Sequence, residues 1–187
     1  MSKEEDDTRR IEEAFTLLMG MVDEAAKDLV RRAFEFACFE HQNNRDPKKR
    51  FRQSGDPYIL HPLEVARQLA ELRMDAHTLA AGLLHDVIED CQVSPEVLRE
   101  RFGPEITNLV QGVTKVSSIN FLPEKKDKSE DAANLREFVL DEDAANLREF
   151  VLAMARDVRV VIIKLCDRLH NMRTLEFLDE KKRFEIA

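Results

Sequence analysis

The sequence predicts an all-α fold, and three observations support that prediction. Residues that favour helices, such as Ala, Leu, Glu, Arg and Lys, are common. Glycine and proline, which interrupt helices, number only 5 and 6 among 187 residues. Apolar residues recur at helical spacing over most of the chain. A chain of this length corresponds to one domain, and its composition disfavours a β-sandwich, a collagen-like repeat or extensive disorder.

The predicted elements begin with a partly helical segment at residues 1–24. Residues 1–8 are polar and predict a frayed end, whereas an amphipathic pattern starts at Ile11. Residues 25–41 predict the first strong helix, and a loop rich in helix breakers follows at 43–57. Further helices are predicted at 60–72, 76–90, 95–102 and 104–112, with Asp75 and Ser94 as N-caps.

Two later segments need separate interpretation. DAANLREFVL occurs at 131–140 and again at 143–152, and an offset of 12 residues places two copies about 120° apart on a helix. We expect the second copy to hold the core position and the first to be an insertion in a surface loop, 117–142. Residues 158–165 suit a buried strand or a buried helix, and helical patterns on both sides favour the helix.

Charge and cysteine content restrict the possible partners and location. The net charge of −8 lacks the basic excess that direct nucleic-acid binding requires, although a local basic rim or a metal still allows an anionic small ligand. Three cysteines without CxxC spacing argue against disulfides and a cysteine zinc site. The start lacks an apolar leader, and no 18-residue apolar run exists. We therefore expect a cytoplasmic protein with no membrane span.

The strongest chemical signal is LLHDVIED at 83–90. His85 and Asp86 are adjacent in a segment apolar enough to be buried, which is unfavourable unless such groups are paired or bind a cation. On a helix, Glu89 would lie over His85 and Asp90 over Asp86. Taken alone, such a pair more often marks a helix end with solvated acids and one buried structural histidine.

Two further segments place a histidine or an aspartate in apolar surroundings. His61 lies in PYILHPLEVA, where a capping or core histidine is the simpler interpretation, and Asp167 lies in IIKLCDRLHNM, where Lys164 or Arg168 offers a plain salt bridge. Two imidazoles and two carboxylates together form a mixed ligand set that suits Mn²⁺ or Fe²⁺, and Zn²⁺ less well. The remaining histidines lack this context, and two of them are interpreted as surface or structural residues: His41 and His77.

Four motifs together resemble the hydrolase domain of the RelA/SpoT homologues, within the HD superfamily of metal-dependent phosphohydrolases. They are RQSGDPYILHPLEVA (52–66), HDVIED (85–90), RFGPEITNLVQGVTKVS (101–117) and AMARDVRVVIIKLCDRLHNMRTL (153–175). HDxxED alone is moderately specific, whereas its combination with SGDPYxxHP and DRLHNMRT is highly specific. The resemblance covers 25–187 and implies a helical HD domain with a metal site in the bundle core.

The resemblance implies a role for each matching residue. The implied Mn²⁺ ligands are His61, His85, Asp86 and Asp167. Glu89 and Asp90 match the acidic pair that activates or orients the attacking water. The implied substrate-binding residues are Arg52, Gln53, Ser54, Asn171 and Thr174. On a helix, Asn171 and Thr174 follow Asp167 by four and seven residues, so one face can carry all three.

The implied reaction is Mn²⁺-dependent hydrolysis of the 3′-pyrophosphate of guanosine tetra- or pentaphosphate, (p)ppGpp, to GDP or GTP and pyrophosphate, in stringent-response control. The cation lowers the pKa of a bound water, and the acidic pair takes its proton. Two alternatives remain, another HD-type nucleotide phosphohydrolase and a module that binds the alarmone without cleaving it. The SGDPY and NMRT segments disfavour the first, and the intact set of ligands and acids disfavours the second.

Three departures from the family pattern bear on activity. Gln53 stands where many members carry a basic residue, which predicts altered substrate preference or affinity, and Cys166 replaces a small alanine and is interpreted as a packing residue. The copy at 131–140 lies outside the pattern and is placed to disturb a loop facing the site. The chain ends in a helical pattern, so we expect a fragment of a longer chain; the sequence leaves oligomeric state open. In the basic loop, Lys48, Lys49 and Arg50 suit a solvated run better than direct phosphate contacts.

Overall fold

The computed structural model describes residues 2–117 and 156–174. Within these ranges all regular structure is helical, apart from an isolated bridge between Phe51 and Pro57, and the predicted all-α class is confirmed. The α-helices of this part are α1 (Lys3–Met21), α2 (Lys27–Gln42), α3 (Leu60–Glu71), α4 (Ala76–Leu84), α5 (Pro95–Ser117) and α6 (Val158–Arg173). Short 3₁₀ turns cover Glu24–Ala26 and Pro47–Arg50.

Helix α1 begins earlier than predicted. Ser2 and Glu5 form a capping box, in which the Glu5 amide donates to Ser2 Oγ at 3.2 Å and the Ser2 amide donates to Glu5 Oε2 at 2.7 Å. Acidic residues in the first turn also interact favourably with the helix dipole. The predicted frayed end is therefore wrong from residue 3 onward, because these bonds satisfy amides that a helix start otherwise leaves unpaired.

Helix α4 ends earlier than predicted. Asp75 caps its start as predicted and accepts from the amides of His77 and Thr78 at 2.9 and 3.1 Å. The helix stops at Leu84, and residues 85–91 form turns, so the predicted extension to residue 90 is wrong. Consecutive helical residues point about 100° apart, whereas residues 85 and 86 both reach one centre. His85 keeps helical backbone angles, so the side chains rather than a backbone break direct both residues to that centre.

The predicted break in α5 and the helical interpretation of residues 158–165 are confirmed, but α5 continues to Ser117, five residues beyond its predicted end at 112. Gly103, with φ of 80°, interrupts α5 at the predicted boundary between two helices. Pro104 then occupies the start of the second half, where its missing amide costs little. The Val97 amide donates to Ser94 Oγ at 3.4 Å, as expected for an N-cap. Residues 158–165 are helical, as the flanking patterns indicated.

Helix α4 lies at the centre of the bundle and packs against α2, α3, α5 and α6. Gly82 permits its close approach to α3, because a β-carbon at this position would lie 2.5 Å from Leu69 Cδ1. This contact packs the last turn of α4 against the middle and the end of α3. No helix of the described ranges is both long and apolar enough to cross a membrane. The duplicated segment, and the predicted loop 117–142 beyond its first residue, lie outside the described residues.

Candidate active site

Three helices bring the four predicted metal ligands together. His61 lies in the first turn of α3, His85 and Asp86 follow α4, and Asp167 lies on α6. Asp167 Oδ1 is 3.2 Å from His61 Nε2 and 3.9 Å from His85 Nε2. Asp86 Oδ2 is 3.6 Å from His61 Nε2, and Asp86 Oδ1 is 3.1 Å from His85 Nε2. The ligand atoms of His61, His85 and Asp86 lie within 4.8 Å of one another, close enough to hold a single cation, and Asp167 lies beside the two histidines.

The ring of His85 shows why these residues fit a metal ion. His85 Nδ1 lies 2.8 Å from the carbonyl oxygen of Gly82, and a carbonyl only accepts, so in the neutral ring Nδ1 carries the proton. Nε2 then presents a lone pair, which is buried and has no hydrogen-bond partner among the described residues. A lone pair oriented in this way by a backbone carbonyl is the usual arrangement of a ligating histidine.

Without a metal ion, the charges around His85 favour the protonated form of its ring. Burial lowers the pKa of His85, but the carboxylates of Asp86 and Asp167 outweigh burial and raise it to about 9. Burial raises the pKa of Asp86, but the charges of His85 and His61 outweigh burial and hold that pKa well below its usual range. The centre therefore contains ionised acid, and it needs a proton or a metal ion to balance that charge.

Asp167 is held from two sides on α6. Lys164 Nζ lies 2.6 Å from Oδ2, and Asn171 Nδ2 donates to Oδ1 at 2.7 Å. Burial raises the pKa of Asp167, but the hydrogen bond to His61 and the charges of His85 and Lys164 bring it below its usual range. The salt bridge considered as an alternative for Asp167 is thus present, and it leaves Oδ1 directed at the two histidines.

The two predicted catalytic acids occupy different environments. Glu89 is exposed, and partial burial together with the charges of Asp86 and Asp90 raises its pKa. Asp90 is anchored, because Lys49 Nζ lies 2.8 Å from Oδ1 and the Tyr58 hydroxyl lies 2.7 Å from Oδ2. Asp90 lies beside Asp86 as predicted, because the Asp90 amide donates to the Asp86 carbonyl at 2.8 Å and both carboxylates reach the Tyr58 hydroxyl. Lys49 is half-exposed, in line with a solvated run, and it also forms an ion pair with Asp90 that the sequence did not indicate.

A cavity of about 140 Å³ adjoins the centre, and His61 lines it. Four of the five predicted substrate-binding residues also line it: Arg52, Gln53, Ser54 and Thr174. Asn171 is joined to this group, because Arg52 Nη2 donates to Asn171 Oδ1 at 2.7 Å. Thr174 follows the last residue of α6 as its C-cap rather than continuing the helical face. A larger cavity of about 460 Å³ lies between α2 and α5 and contains none of the predicted site residues.

Four residues that received no role or only an open alternative from the sequence lie in or beside the site. The hydroxyl of Tyr58, the only tyrosine of the chain, is 2.8 Å from Asp86 Oδ2 in addition to its contact with Asp90. His170 Nδ1 is 2.7 Å from His61 Nδ1. Its position three residues after Asp167 on a helix was the signal that could have revealed it. The other two are Lys164, which pairs with Asp167, and Arg10, which lines the cavity.

The predictions for the other histidines and for Cys166 agree with the structure. His41 is buried and stacks on the Tyr58 ring with 4.5 Å between the ring centroids, which is a structural role. His77 is half-exposed and lies 3.3 Å from Glu105. Cys166 is buried in the hydrophobic core.

Comparison with known proteins gives matches over most of the chain. The model of the HD-domain family matches residues 33–187. The chain is 47% identical over 136 residues to the guanosine-3′,5′-bis(diphosphate) 3′-pyrophosphohydrolase of Vibrio cholerae, which covers 73% of this chain and 17% of the relative. It is 40% identical over 177 residues to the protein of the same name from Aquifex aeolicus, with 95% and 22% covered.

Two further matches extend this comparison. The chain is 41% identical over 160 residues to a GTP pyrophosphokinase of Myxococcus xanthus, with 86% of this chain and 19% of the relative covered. A solved structure of a metazoan ortholog of SpoT, described as hydrolysing ppGpp and playing a role in starvation responses, aligns with a TM-score of 0.52 at 25% identity. That alignment covers 83% of this chain and 78% of the other. The chain spans about a fifth of the length of the curated relatives.

Proposed function

This chain belongs to the HD-domain family, and from that premise we propose that it removes the 3′-pyrophosphate of guanosine tetra- or pentaphosphate in a metal-dependent hydrolysis. The observation that carries the proposal is the convergence of His61, His85, Asp86 and Asp167 beside a cavity lined by Arg52 and Ser54. Relatives named for this pyrophosphohydrolase, and the metazoan SpoT ortholog, support the same substrate class.

We propose Mn²⁺ as the cation. Two imidazole nitrogens and two carboxylates form a mixed set that suits Mn²⁺ or Fe²⁺ better than thiolate-preferring metals. When bound, such a cation supplies Lewis acidity towards a phosphoryl oxygen and lowers the pKa of a coordinated water. The ionised Asp86 and Asp167 support this assignment, because both carboxylates are already in their deprotonated form, and a bound cation would replace the proton on His85 Nε2.

The acidic pair of the chain handles the proton of the attacking water. Glu89, with its raised pKa and its exposure to solvent, is suited to accept that proton and to pass it on. Asp90 orients the water, since Tyr58 and Lys49 fix both of its oxygens. The water oxygen bonds to the phosphorus carried by ribose O3′, and the bond from that phosphorus to O3′ breaks. O3′ takes up the proton, and the products are pyrophosphate and GDP or GTP.

The cavity residues bind the nucleoside part of this substrate. Arg52 is held by Asn171 and lies over the Tyr58 ring, 5.6 Å from its centroid, so its guanidinium is oriented before a ligand arrives. This local positive charge counters the overall negative charge of the protein towards a polyanion. The uncharged Gln53 on the same cavity is expected to alter affinity or preference among such nucleotides. A cytoplasmic location and a role in stringent-response control follow from this substrate class.

A substrate panel tests the proposal. Purified protein with Mn²⁺ is incubated with guanosine tetraphosphate, dGTP and a cyclic dinucleotide, and the products are separated by ion exchange. We expect pyrophosphate and GDP from guanosine tetraphosphate, and slower or no reaction with the others. Faster cleavage of dGTP or the cyclic dinucleotide would replace this proposal with another HD-type phosphohydrolase. Tight binding of guanosine tetraphosphate without cleavage would replace it with a regulatory module.

A further inference from the structure

Helix α1 precedes the residues that the family model matches, yet it reaches the nucleotide cavity. Arg10 lines that cavity together with Arg52 and Ser54. Its guanidinium Nη1 lies 2.7 Å from Asp56 Oδ1, on the loop that carries both of those residues. A weaker contact at 3.6 Å joins Arg10 to Asp7 of its own helix.

Asp56 connects Arg10 to Ser54. While Oδ1 of Asp56 accepts from Arg10, Oδ2 accepts from the Ser54 hydroxyl at 2.7 Å. The hydrogen bond from Ser54 and the charge of Arg10 keep the pKa of Asp56 below its usual range, so the carboxylate is ionised near neutral pH. The only proton of the Ser54 hydroxyl is committed to Asp56 and one lone pair accepts weakly from the Asp56 amide at 3.4 Å, so Ser54 Oγ keeps one lone pair with which to accept from a ligand in the cavity that Ser54 lines. An acceptor suits an N–H or O–H of a nucleoside and repels a phosphate oxygen.

A second contact fixes the same loop to α1. Lys3 Nζ donates to the carbonyl oxygen of Gly55 at 3.2 Å, and Lys3 and Arg10 are seven residues apart, on one face of the helix. Gly55 has φ of 83° in a tight turn, closed by the Arg52 amide donating to the Asp56 carbonyl at 2.8 Å. Two turns of α1 thus hold two successive residues of the turn that presents Ser54.

We propose that Arg10 is a positioning residue of the nucleotide pocket, which acts through Asp56 to fix Ser54 as a hydrogen-bond acceptor. Helix α1 is thereby part of the binding site. The inference rests on the proposed function for the identity of the substrate. The geometry itself concerns only how a nucleoside is bound, so binding of the product GDP tests it separately from catalysis.

Arg10→Gln is compared with Arg9→Gln as a matched control. Arg9 is the neighbouring residue of α1, loses the same charge, and within the described ranges 2–117 and 156–174 pairs only with Asp6 and Glu13 of its own helix. Loss of one charge-assisted contact predicts that Arg10→Gln raises KM for guanosine tetraphosphate and Kd for GDP about 10-fold, with kcat within about 2-fold. Arg9→Gln is expected to leave all three unchanged, and Arg10→Lys to restore part of the affinity.

A double-mutant cycle shows whether Arg10 acts through Asp56. Because both residues belong to one chain of contacts, Arg10→Gln in an Asp56→Asn background is expected to add less than about 2-fold to Kd for GDP. The inference is overturned if the two substitutions raise Kd for GDP independently, so that their fold-changes multiply in the double variant. It is also overturned if Arg10→Gln and Arg9→Gln bind GDP with equal affinity. Thermal unfolding of each variant separates a lost contact from a lost fold. If the wild type binds GDP and Arg10→Gln weakens that binding, the inference stands even where guanosine tetraphosphate is not cleaved.

Discussion

His61 Nδ1 lies 2.7 Å from His170 Nδ1, while the opposite nitrogen of His61 faces the carboxylates of Asp86 and Asp167. Two ring nitrogens at this distance share one proton. Burial, and then the neighbouring His61, lower the pKa of His170 to about 4, so His170 is neutral near pH 7 and can accept. With a metal ion on Nε2, His61 would carry its proton on Nδ1 and donate it to His170.

Removal of that acceptor is expected to weaken metal binding. His170→Leu removes the acceptor, whereas His170→Gln retains a side-chain oxygen. Outer-sphere partners of ligating histidines affect metal affinity about 10- to 100-fold. Titration calorimetry with MnCl₂ should show a loss in this range for His170→Leu and a smaller one for His170→Gln. Equal affinities for the wild type and both variants would show that His170 does not set the tautomer of His61.

Tyr58→Phe tests the link between the metal centre and the proposed acid pair. The phenol oxygen lies within 2.8 Å of Asp86 and Asp90, and the substitution removes it while keeping the ring stacked on His41. We expect kcat to fall about 10- to 100-fold with a smaller change in KM, because the oriented carboxylate acts in the transition state. A thermal midpoint near that of the wild type is the control. An unchanged kcat contradicts the positioning role of Tyr58.

Much of the fold was predictable because its signals are local. Helical periodicity located α2, α3, α5 and α6, and the Gly103–Pro104 pair marked the break in α5. The start of α1 was also readable, since Ser2 and Glu5 have capping-box spacing. The end of α4 could not be predicted from the sequence. It depends on residues 85 and 86 turning towards the same centre, and that centre exists only once α3 and α6 are packed against α4.

In the candidate site, too, the residues with local sequence signals were predictable and the long-range contacts were not. The proposed metal ligands and acids stand in motifs whose residue types already indicate the chemistry. The contacts that hold them do not, because they join distant parts of the chain. Arg10 meets Asp56 across 46 residues, and Arg52 meets Asn171 across 119. A single sequence contains no signal for such pairs, whereas the packing of α1 and α6 against α3 determines them.

The stability of the protein should fall as the pH drops below about 6.5. Burial lowers the pKa of His41 to about 4, against about 6.5 for an unfolded histidine. Between pH 6.5 and pH 4 the unfolded chain therefore binds a proton at His41, whereas the folded chain does not. The contribution of neutral His41 to the free energy of unfolding is complete above pH 6.5 and is lost as the pH falls towards 4.

Urea denaturation at pH 7 and pH 5 measures this dependence. His41→Phe keeps an aromatic ring against Tyr58 and removes the titrating group. Its loss of stability between the two pH values should be smaller than that of the wild type by on the order of 1–2 kcal/mol. An identical loss in both proteins would show that His41 does not contribute to the pH dependence.

Gly82→Ala tests the close packing that brings α4 to α3. The added carbon would lie 2.5 Å from Leu69 Cδ1, in a fully buried position. We expect a decrease in the free energy of unfolding of about 1–3 kcal/mol, despite the better helix propensity of alanine. Gly20→Ala in α1 meets nothing within 4 Å and should be neutral or stabilising. Urea denaturation distinguishes the two, and equal stability of both variants would contradict the packing argument.

The central claim is that hydrolysis occurs at the centre formed by His61, His85, Asp86 and Asp167. The most direct measurement is the rate of pyrophosphate release from guanosine tetraphosphate by the wild type, Asp86→Asn and the exposed control Asp28→Asn, each with Mn²⁺ and with a chelator. Our account predicts release by the wild type and Asp28→Asn that stops in the chelator, and a loss of at least about 1000-fold in Asp86→Asn. Release that continues in the chelator, or that persists in Asp86→Asn, would contradict it.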